Sequence, residues 1–512
     1  MRWWCAATVW MLTSAAVAAV APPSDSTKSL AAAIAEVERF DPDSPAAVSG
    51  RLEYVDMLLS GGGDCAQRLD NAQAELDTAT VDPTFEVVVP AGLARQADLE
   101  YRIHAARANC NAPERSRRQN ELHQALAAAQ RAVGLYRDAL DYPSMATMQF
   151  DIAVTYRLLG NDSAAVAALR AAIDMDREYG LRDDAAANYE ILAKWTGNTS
   201  PTNGGMEDFP ARTVTLKFGW SIFNAHVTID ASIARVVNGD IEHYHAGRTF
   251  KRTYRAGLLD WQVENERGPL AFDVPRWPQD PEVLHDVGVS LERALLQVPN
   301  INVTRQGELS HVVSSDDLSE ELSKATQTLF LQHTGSPGAH ERLSHAVIDN
   351  LDMVFAPGVI QEKAAEDYSF ETGIWIGATL QQGVWYRMSA PLTVPGTIPA
   401  VMDHDVEFAY TRRLPCDEDS TDRSCVELVV RANPEADALQ SFVDDLNDTA
   451  TGRHLPDAHY WAATYMRIVT DPQTLLIHVR DVRNYWHFST EGSGLDEVAN
   501  QFERLVVTSV YH

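Results

Sequence analysis

Four groups of residues have types and spacings that could do chemistry. The first is His340-Glu341-Arg342-Leu343-Ser344-His345. A zinc-protease helix sets its two histidines four residues apart, so that both face one metal, with a glutamate as general base. Here the histidines stand at 340 and 345. That spacing rotates them roughly 140° apart on a helix, and Ser344 holds the place the second ligand needs. The second group, Asp403-His404-Asp405, sets carboxylates beside a histidine, which can orient a general base. No nucleophile or pocket accompanies it, so it reads as a polar loop before a strand. The third, His243-Tyr244-His245, would put both imidazoles on one strand face. The opposite face carries Tyr244, Phe250 and Tyr254, no third ligand is evident, and the histidines are expected in water. The fourth, Glu491-Gly492-Ser493-Gly494-Leu495, lacks the full nucleophile elbow and reads as a loop, with Ser493 or Asp496 capping the next helix. Neither a P-loop nor a G-x-G-x-x-G cradle occurs. No catalytic, cofactor or metal set is therefore assigned. A hydrolase remains the alternative if His340, Glu341, His404 and Asp405 converge on one cleft.

The cysteines point to structure rather than catalysis. Cys5 lies in the N-terminal apolar run, which leaves Cys65, Cys110, Cys416 and Cys425. A thiolate metal site needs ligands clustered at close spacing, and neither pair has it. The layout favours bridges Cys65–Cys110 and Cys416–Cys425, formed in an oxidising compartment. The first closes a long loop and should stabilise by roughly 3–4 kcal/mol on the chain-entropy account. Met1 to Ala21 reads as a secretory signal: Arg2, an apolar stretch, then small residues suited to cleavage after Ala18 or Ala21. An uncleaved anchor is the rival reading, since the run approaches spanning length. The expected location is periplasmic or secreted, with no integral membrane segment after cleavage.

The elements that would position these groups belong to more than one domain, since 512 residues are too many for one ordinary domain. The formal net charge of −30 argues against nucleic acid and against anionic membrane surfaces as main partners. Residues 29–195 are rich in helix formers. Within them Ala125, Ala129 and Ala132 recur forty positions on as Ala165, Leu169 and Ala172, and Ile152-Ala153 recurs as Leu192-Ala193. The stretch Ile152-Ala153-x-x-Tyr156-x-x-x-Gly160, with Ala165, Leu169 and Ala172 after it, resembles the tetratricopeptide repeat, best over 147–177 and with a longer period than usual. The resemblance implies paired helices that approach through small residues, a tyrosine between them and a glycine turn. It also implies a groove that holds a partner protein or peptide. Gly61-Gly62-Gly63 should end one helix, with Asp64 capping the next.

Residues 196–211 have the composition of a linker. Beyond them, over 212–512, the period changes to two. Phe223, Ala225, Val227, Ile229, Ala231 and Ile233 alternate with polar residues, Asn238-Gly239 supplies a hairpin turn, and further strands run to the C-terminus. Helices are expected near 280–297, 316–331, 338–352 and 358–380, and Leu495–Val510 is read as a closing helix or strand. The fold class is α+β in two domains: N-terminal tetratricopeptide-like helices, then a large curved antiparallel sheet with packed helices. The sheet resembles the periplasmic lipoprotein-carrier half-barrel at the level of fold alone, and no motif assigns it to a named family. Trp375, Ile376, Trp385 and Tyr386 are the candidates to line a cavity. The functional expectation is a non-enzymatic envelope protein, its helices binding a partner and its sheet binding an apolar ligand or a second protein. A pure scaffold with a solid β core is the other alternative.

Overall fold

The computed structural model describes residues 45–62, 64–79, 90–110, 114–197, 212–220, 223–237, 240–266, 271–272, 300–333, 355–393, 401–416, 424–435, 438, 441, 458–490 and 498–512. The signal segment, most of the linker, the Asn238-Gly239 turn, the helices expected at 280–297 and 338–352, His340, Glu341 and Ser493 lie outside these residues. The chain is helical in its N-terminal part and builds a large antiparallel sheet in its C-terminal part.

Among the described residues seven helices come first: α1 Pro45–Ser60, α2 Cys65–Thr78, α3 Pro90–Cys110, α4 Arg115–Asp138, α5 Tyr142–Leu158, α6 Asp162–Glu178 and α7 Arg182–Thr196. Asp64 caps α2 as its sequence suggests, accepting from the Gln67 amide at 2.9 Å. The Cys65–Cys110 bridge joins the start of α2 to the end of α3. From α4 onward one turn repeats. Leu140, Gly160 and Gly180 have φ of 56°, 79° and 75°, and the amides after them (141, 161, 181) bond to the carbonyls of Tyr136, Tyr156 and Asp176. Those are helix C-terminal closures through a left-handed residue. Asp141 and Asn161 then cap the next helices through the amides of Ser144 and Ala164. The helix–turn unit thus recurs every 20 residues (160−140, 180−160), and the forty-residue repeat of the sequence spans two units. Ala125, Ala129, Ala132, Ala153, Ala165, Leu169 and Ala172 are fully buried between these helices. Ile152 is buried and Tyr156 half-buried.

Strands β1 Thr213–Thr215 and β8 Thr379–Gln381 form a separate pair. The strands of the large sheet are β2 Phe223–Val237, β3 Asp240–Ala256, β4 Asp260–Glu266, β5 Ala271–Phe272, β6 Asn300–Thr304, β7 Leu309–Val313, β9 Trp385–Thr393, β10 Val401–Pro415, β11 Ser424–Pro434, β12 Ala458–Thr470, β13 Ile477–Thr490 and β14 Val498–Tyr511. Their order is β7-β6-β4-β3-β2-β14-β13-β12-β11-β10-β9, all antiparallel, with β5 beside β3. The closing segment, read as helix or strand, is β14.

One apolar core lies on the inner face. It joins Ile229, Tyr244, Phe250 and Tyr254 from the middle of the sheet to Val263 and Val303 near one end and Leu392 and Val406 near the other. Trp375 and Ile376 span the gap between those ends. A Cβ on Gly307, between β6 and β7, would meet Ile376, while Trp375 lies edge-on to Phe408 of β10 at 5.3 Å. Both ends of the sheet reach adjacent residues, so the sheet must curl. On β2 the outer face is wet, as the alternation predicts: Asn224, His226, Thr228 and Asp230 are exposed.

Among the described residues two helices accompany the sheet: α8 Ser315–His333, which packs on α9, and α9 Pro357–Glu371, which packs on β7. The helix expected to run to 380 stops at Glu371. Thr372 leaves helical geometry, a single 3-10 turn covers Gly373–Trp375, and Gly377 takes φ 76°. Trp375 pins that turn by donating its indole N–H to the Phe370 carbonyl at 2.6 Å.

Candidate functional site: a charged cavity under helix α9

Helix α9 lies across the inner face. Tyr368 donates its hydroxyl to the Gly307 carbonyl at 2.8 Å, and Tyr368 and Phe370 enter the sheet core. Beneath the helix is a cavity of ≈ 80 Å³. Ala364, Asp367, Tyr368 and Glu371 of α9 form one wall, and Arg252, Tyr254, Val263, Arg480, Val507 and Ser509 of the sheet form the other. Trp220, Leu475 and Leu476 close it.

The charged lining is balanced. Arg480 is 3 % exposed. It pairs with Asp367 Oδ1 at 3.4 Å and with Glu371. Lys363 reaches the same Asp367 Oδ1 at 3.1 Å. Arg252 donates through Nε to Asn265 Oδ1 at 2.8 Å. Burial pushes the Arg480 guanidinium down from its ordinary value, against the pull of Asp367 and Glu366. Four polar atoms of the lining residues have almost no accessible surface and no hydrogen-bond partner: Trp220 Nε1, Asp367 Oδ2, Arg480 Nε and Arg480 Nη1, the last of these in the ion pair with Glu371.

Of the residues expected to line a cavity, Trp375, Ile376 and Tyr386 share the inner core around Phe408, and Trp385 stands apart from them. Trp375 is fully buried in the inner core and Ile376 packs beside it. Tyr386 stacks on Phe408, 5.5 Å between rings. Trp385, its neighbour on β9, points the other way, toward the helices. Adjacent strand residues face opposite sides, so this pair cannot share a site. None of the four lines the cavity under α9.

Among the described residues the other candidate groups lie on separate elements. His243 and His245 are exposed, opposite buried Tyr244. Asp403-His404-Asp405 is within β10 rather than in a loop before it. His404 is buried, its Nδ1 2.9 Å from the Met402 carbonyl, and burial pushes its imidazole below the usual value. Asp403 and Asp405 are exposed on the other face, so His404 and Asp405 do not meet. Cys416 and Cys425 are bonded. His478 lies with them, all three ligand atoms within 4.8 Å, but both sulfurs are committed to the disulfide.

Sequence reasoning overlooked the seam between helices and sheet. Strand β11 is buried on both faces: Val426, Leu428, Val430 and Ala432 enter the inner core, while Val429 joins the helical core with Trp385 and Tyr465. Glu427, 0 % exposed, accepts from Arg467 Nε at 2.7 Å, Arg412 Nε at 3.2 Å and Thr411 Oγ1 at 2.8 Å. Burial opposes its ionisation, yet Arg467 and Arg412 win and hold its carboxyl below the usual range. Arg412 also pairs with Glu178 at the end of α6. Arg431 donates to the Leu140 carbonyl at 3.0 Å and lies over the Trp385 ring at 4.4 Å. Arg483 donates to the Asp138 carbonyl. Sheet arginines thus sit on the negative, C-terminal ends of α4 and α6. The signal in the sequence was Glu427 itself, a charge inside Cys425-Val426-Glu427-Leu428-Val429-Val430.

Among the described residues, no helix is long and apolar enough to cross a membrane. No known protein family matches the chain, and no curated protein matches it in sequence. Among solved structures it is similar to a chain from "Lipid-protein interactions in lipovitellin", at 6 % identity and a TM-score of 0.28, over 57 % of this chain and 25 % of that one. This chain therefore spans about a quarter of that chain's length. A likeness at that level leaves the function to be read from the residues themselves.

Proposed function

We propose that this is an exported, non-enzymatic binding protein of the cell envelope, periplasmic or secreted. In this reading a tetratricopeptide-like helical domain (29–195) holds a partner protein or peptide. The β-rich domain (212–512) carries a ligand or a second protein on its inner face. The observation that carries the reading is the cavity under α9, where Arg252, Arg480, Asp367 and Glu371 stand beside an otherwise apolar sheet face. Two disulfides suit an oxidising compartment. Drug-sized ligands occupy pockets of roughly 300–1,000 Å³, and ≈ 80 Å³ is far below that. The size favours a small guest, or one group of a larger partner, over a lipid.

The test is native mass spectrometry of the full-length protein from an exporting host, disulfides intact, with extraction and identification of any adduct. The whole chain is needed, because cutting at 212 would bare Trp385, Val429 and Tyr465. A stoichiometric adduct lost on denaturation supports the reading. A bare mass, with no protein cross-linked to the helices in the exporting cell, would overturn it.

A further inference from the structure

The hairpin between β3 and β4 carries two leucines that the packing of the sheet does not use. Leu258 is 97 % exposed and Leu259 80 %. Among the described residues every other exposed large apolar side chain stands at 42 % or less. The pair occupies the turn between Ala256 and Asp260, where Gly, Asn, Asp and Ser are the residues that help a chain reverse. The turn is braced. The Gly257 amide donates to the Asp260 carbonyl at 2.9 Å. Arg305, from the adjacent β6–β7 turn, donates Nη2 to the Gly257 carbonyl at 2.7 Å and lays its guanidinium over the Trp261 ring at 4.4 Å. The leucines are thus displayed on a fixed, projecting tip. Their area decides what they can meet. Two leucine side chains offer on the order of 200 Å² of apolar surface. A stable protein–protein interface takes roughly 800 Å² from each partner, so this tip alone holds neither a second copy nor a folded partner. A bilayer needs no complementary surface, because it closes around a projecting side chain. The charges decide which bilayer. Arg255 pairs with Glu264 at 3.3 Å, and Asp260 and Glu308 close the two turns on either side of Arg305. Zwitterionic headgroups present both signs to this mixed rim, whereas an anionic leaflet repels a chain of net charge −30. Trp261 is two residues past Leu259, about 7 Å along the strand. Arg305, stacked on that ring, would therefore stand at headgroup level with the leucines among the upper acyl carbons.

We propose that the β3–β4 tip docks this protein on a zwitterionic phospholipid surface, Leu258 and Leu259 entering the acyl layer and Arg305 meeting the lipid phosphates. The proposal goes beyond the binding reading above and does not depend on it, since the tip meets lipid whatever the cavity under α9 holds. Two leucines bury less than one myristoyl chain, so the docking is reversible.

The experiment uses the full-length, disulfide-intact protein and vesicles of pure phosphatidylcholine. Flotation is expected to show half-binding at roughly millimolar accessible lipid, weaker than a single acyl chain gives. Leu258→Asn with Leu259→Asn should weaken binding roughly ten-fold or more, and each single change several-fold. Circular dichroism should not change, since both side chains lie in solvent. A Leu258→Cys variant labelled with nitrobenzoxadiazole should brighten and shift to the blue on the vesicles. The same label on Thr228→Cys, on the exposed outer face of β2, should not. Absence of flotation over that lipid range overturns the proposal. So does flotation that the double variant retains, which places the contact elsewhere, or flotation that requires phosphatidylglycerol in the vesicles. Self-association of the parent that the double variant abolishes, without vesicle binding, would assign the tip to a second copy instead. Each of these outcomes leaves the adduct in the native mass spectrum to decide the binding reading separately.

Discussion

Two buried carboxylates place opposite pH dependences in one molecule. Asp176 is 1 % exposed and has Asn188 as its side-chain partner, at 2.8 Å. Burial pushes its carboxyl up to about 7. A folded value above the unfolded one means the contribution to stability is complete below the unfolded value, near 3.9, and is lost as pH rises through about 7. Asp176→Asn should therefore be more stable than the parent at pH 8, by about 1–3 kcal/mol, and level with it at pH 4. Urea unfolding at both pH values checks this; equal stability at pH 8 would refute it. Glu427 runs the other way. Its contribution is present above the unfolded value and lost as pH falls through its lowered folded value. Glu427→Gln should be less stable at pH 7 by about 2–4 kcal/mol, discounted because Arg412 and Arg467 keep about a quarter of their surface exposed. The gap should close in acid. Residues of this kind were half legible. Glu427 stands out within an apolar strand, but which arginines would meet it depended on pairings across forty residues that no local pattern contains.

At the scale of elements, the repeated turns separate backbone strain from packing. Gly160 and Gly180 occupy the same left-handed position, 20 residues apart. A Cβ on Gly160 meets nothing within 4 Å, whereas on Gly180 it would strike Gln382 at 2.7 Å. That side chain is held in place, since Gln382 Nε2 donates to the Glu178 and Thr411 carbonyls. Gly160→Ala should lose about 1 kcal/mol from φ alone. Gly180→Ala should lose about 2–4 kcal/mol, because overpacking adds to the strain. Thermal and urea unfolding of the pair measure the difference, and equal losses would mean that the α6–α7 turn does not bear on β8–β9. The elements themselves were largely readable. Period 3.6 and then period 2 gave helices and strands in the right order, and Asp64 and the Gly160 turn were visible as punctuation. The cavity was not. Trp385 and Tyr386 looked like a pair because they are adjacent, yet a strand sends neighbours to opposite faces. Arg480 gave a fainter sign, a charge sharing its strand face with Val482.

Across the whole molecule, the question is whether helices and sheet fold as one. The sequence marks a change of period near residue 200 and says nothing about contact across it, because the contacts join residues hundreds of positions apart. Arg431 meets the Leu140 carbonyl, Arg483 the Asp138 carbonyl and Arg412 Glu178. Tyr142 and Tyr179 stack at 4.1 Å within the helical core that Val429 joins from the sheet. A seam that buries Glu427 completely and shares one apolar core should couple the two parts into a single transition. Tryptophan fluorescence reports mainly the sheet, since Trp195 is the lone tryptophan between residues 22 and 212. Ellipticity at 222 nm reports mainly the helices. In the parent protein the two urea curves should coincide. Arg431→Ala with Arg483→Ala removes two charged donors from the end of α4, each worth about 1.5–3 kcal/mol, and takes the guanidinium from the Trp385 ring. The curves of that double variant should separate, with the helical signal lost first because the helices depend on the sheet to neutralise their C-terminal ends. If the two probes still coincide with an unchanged midpoint, the arginines decorate the seam without holding it, and the coupling must lie in Val429, Trp385 and Tyr465.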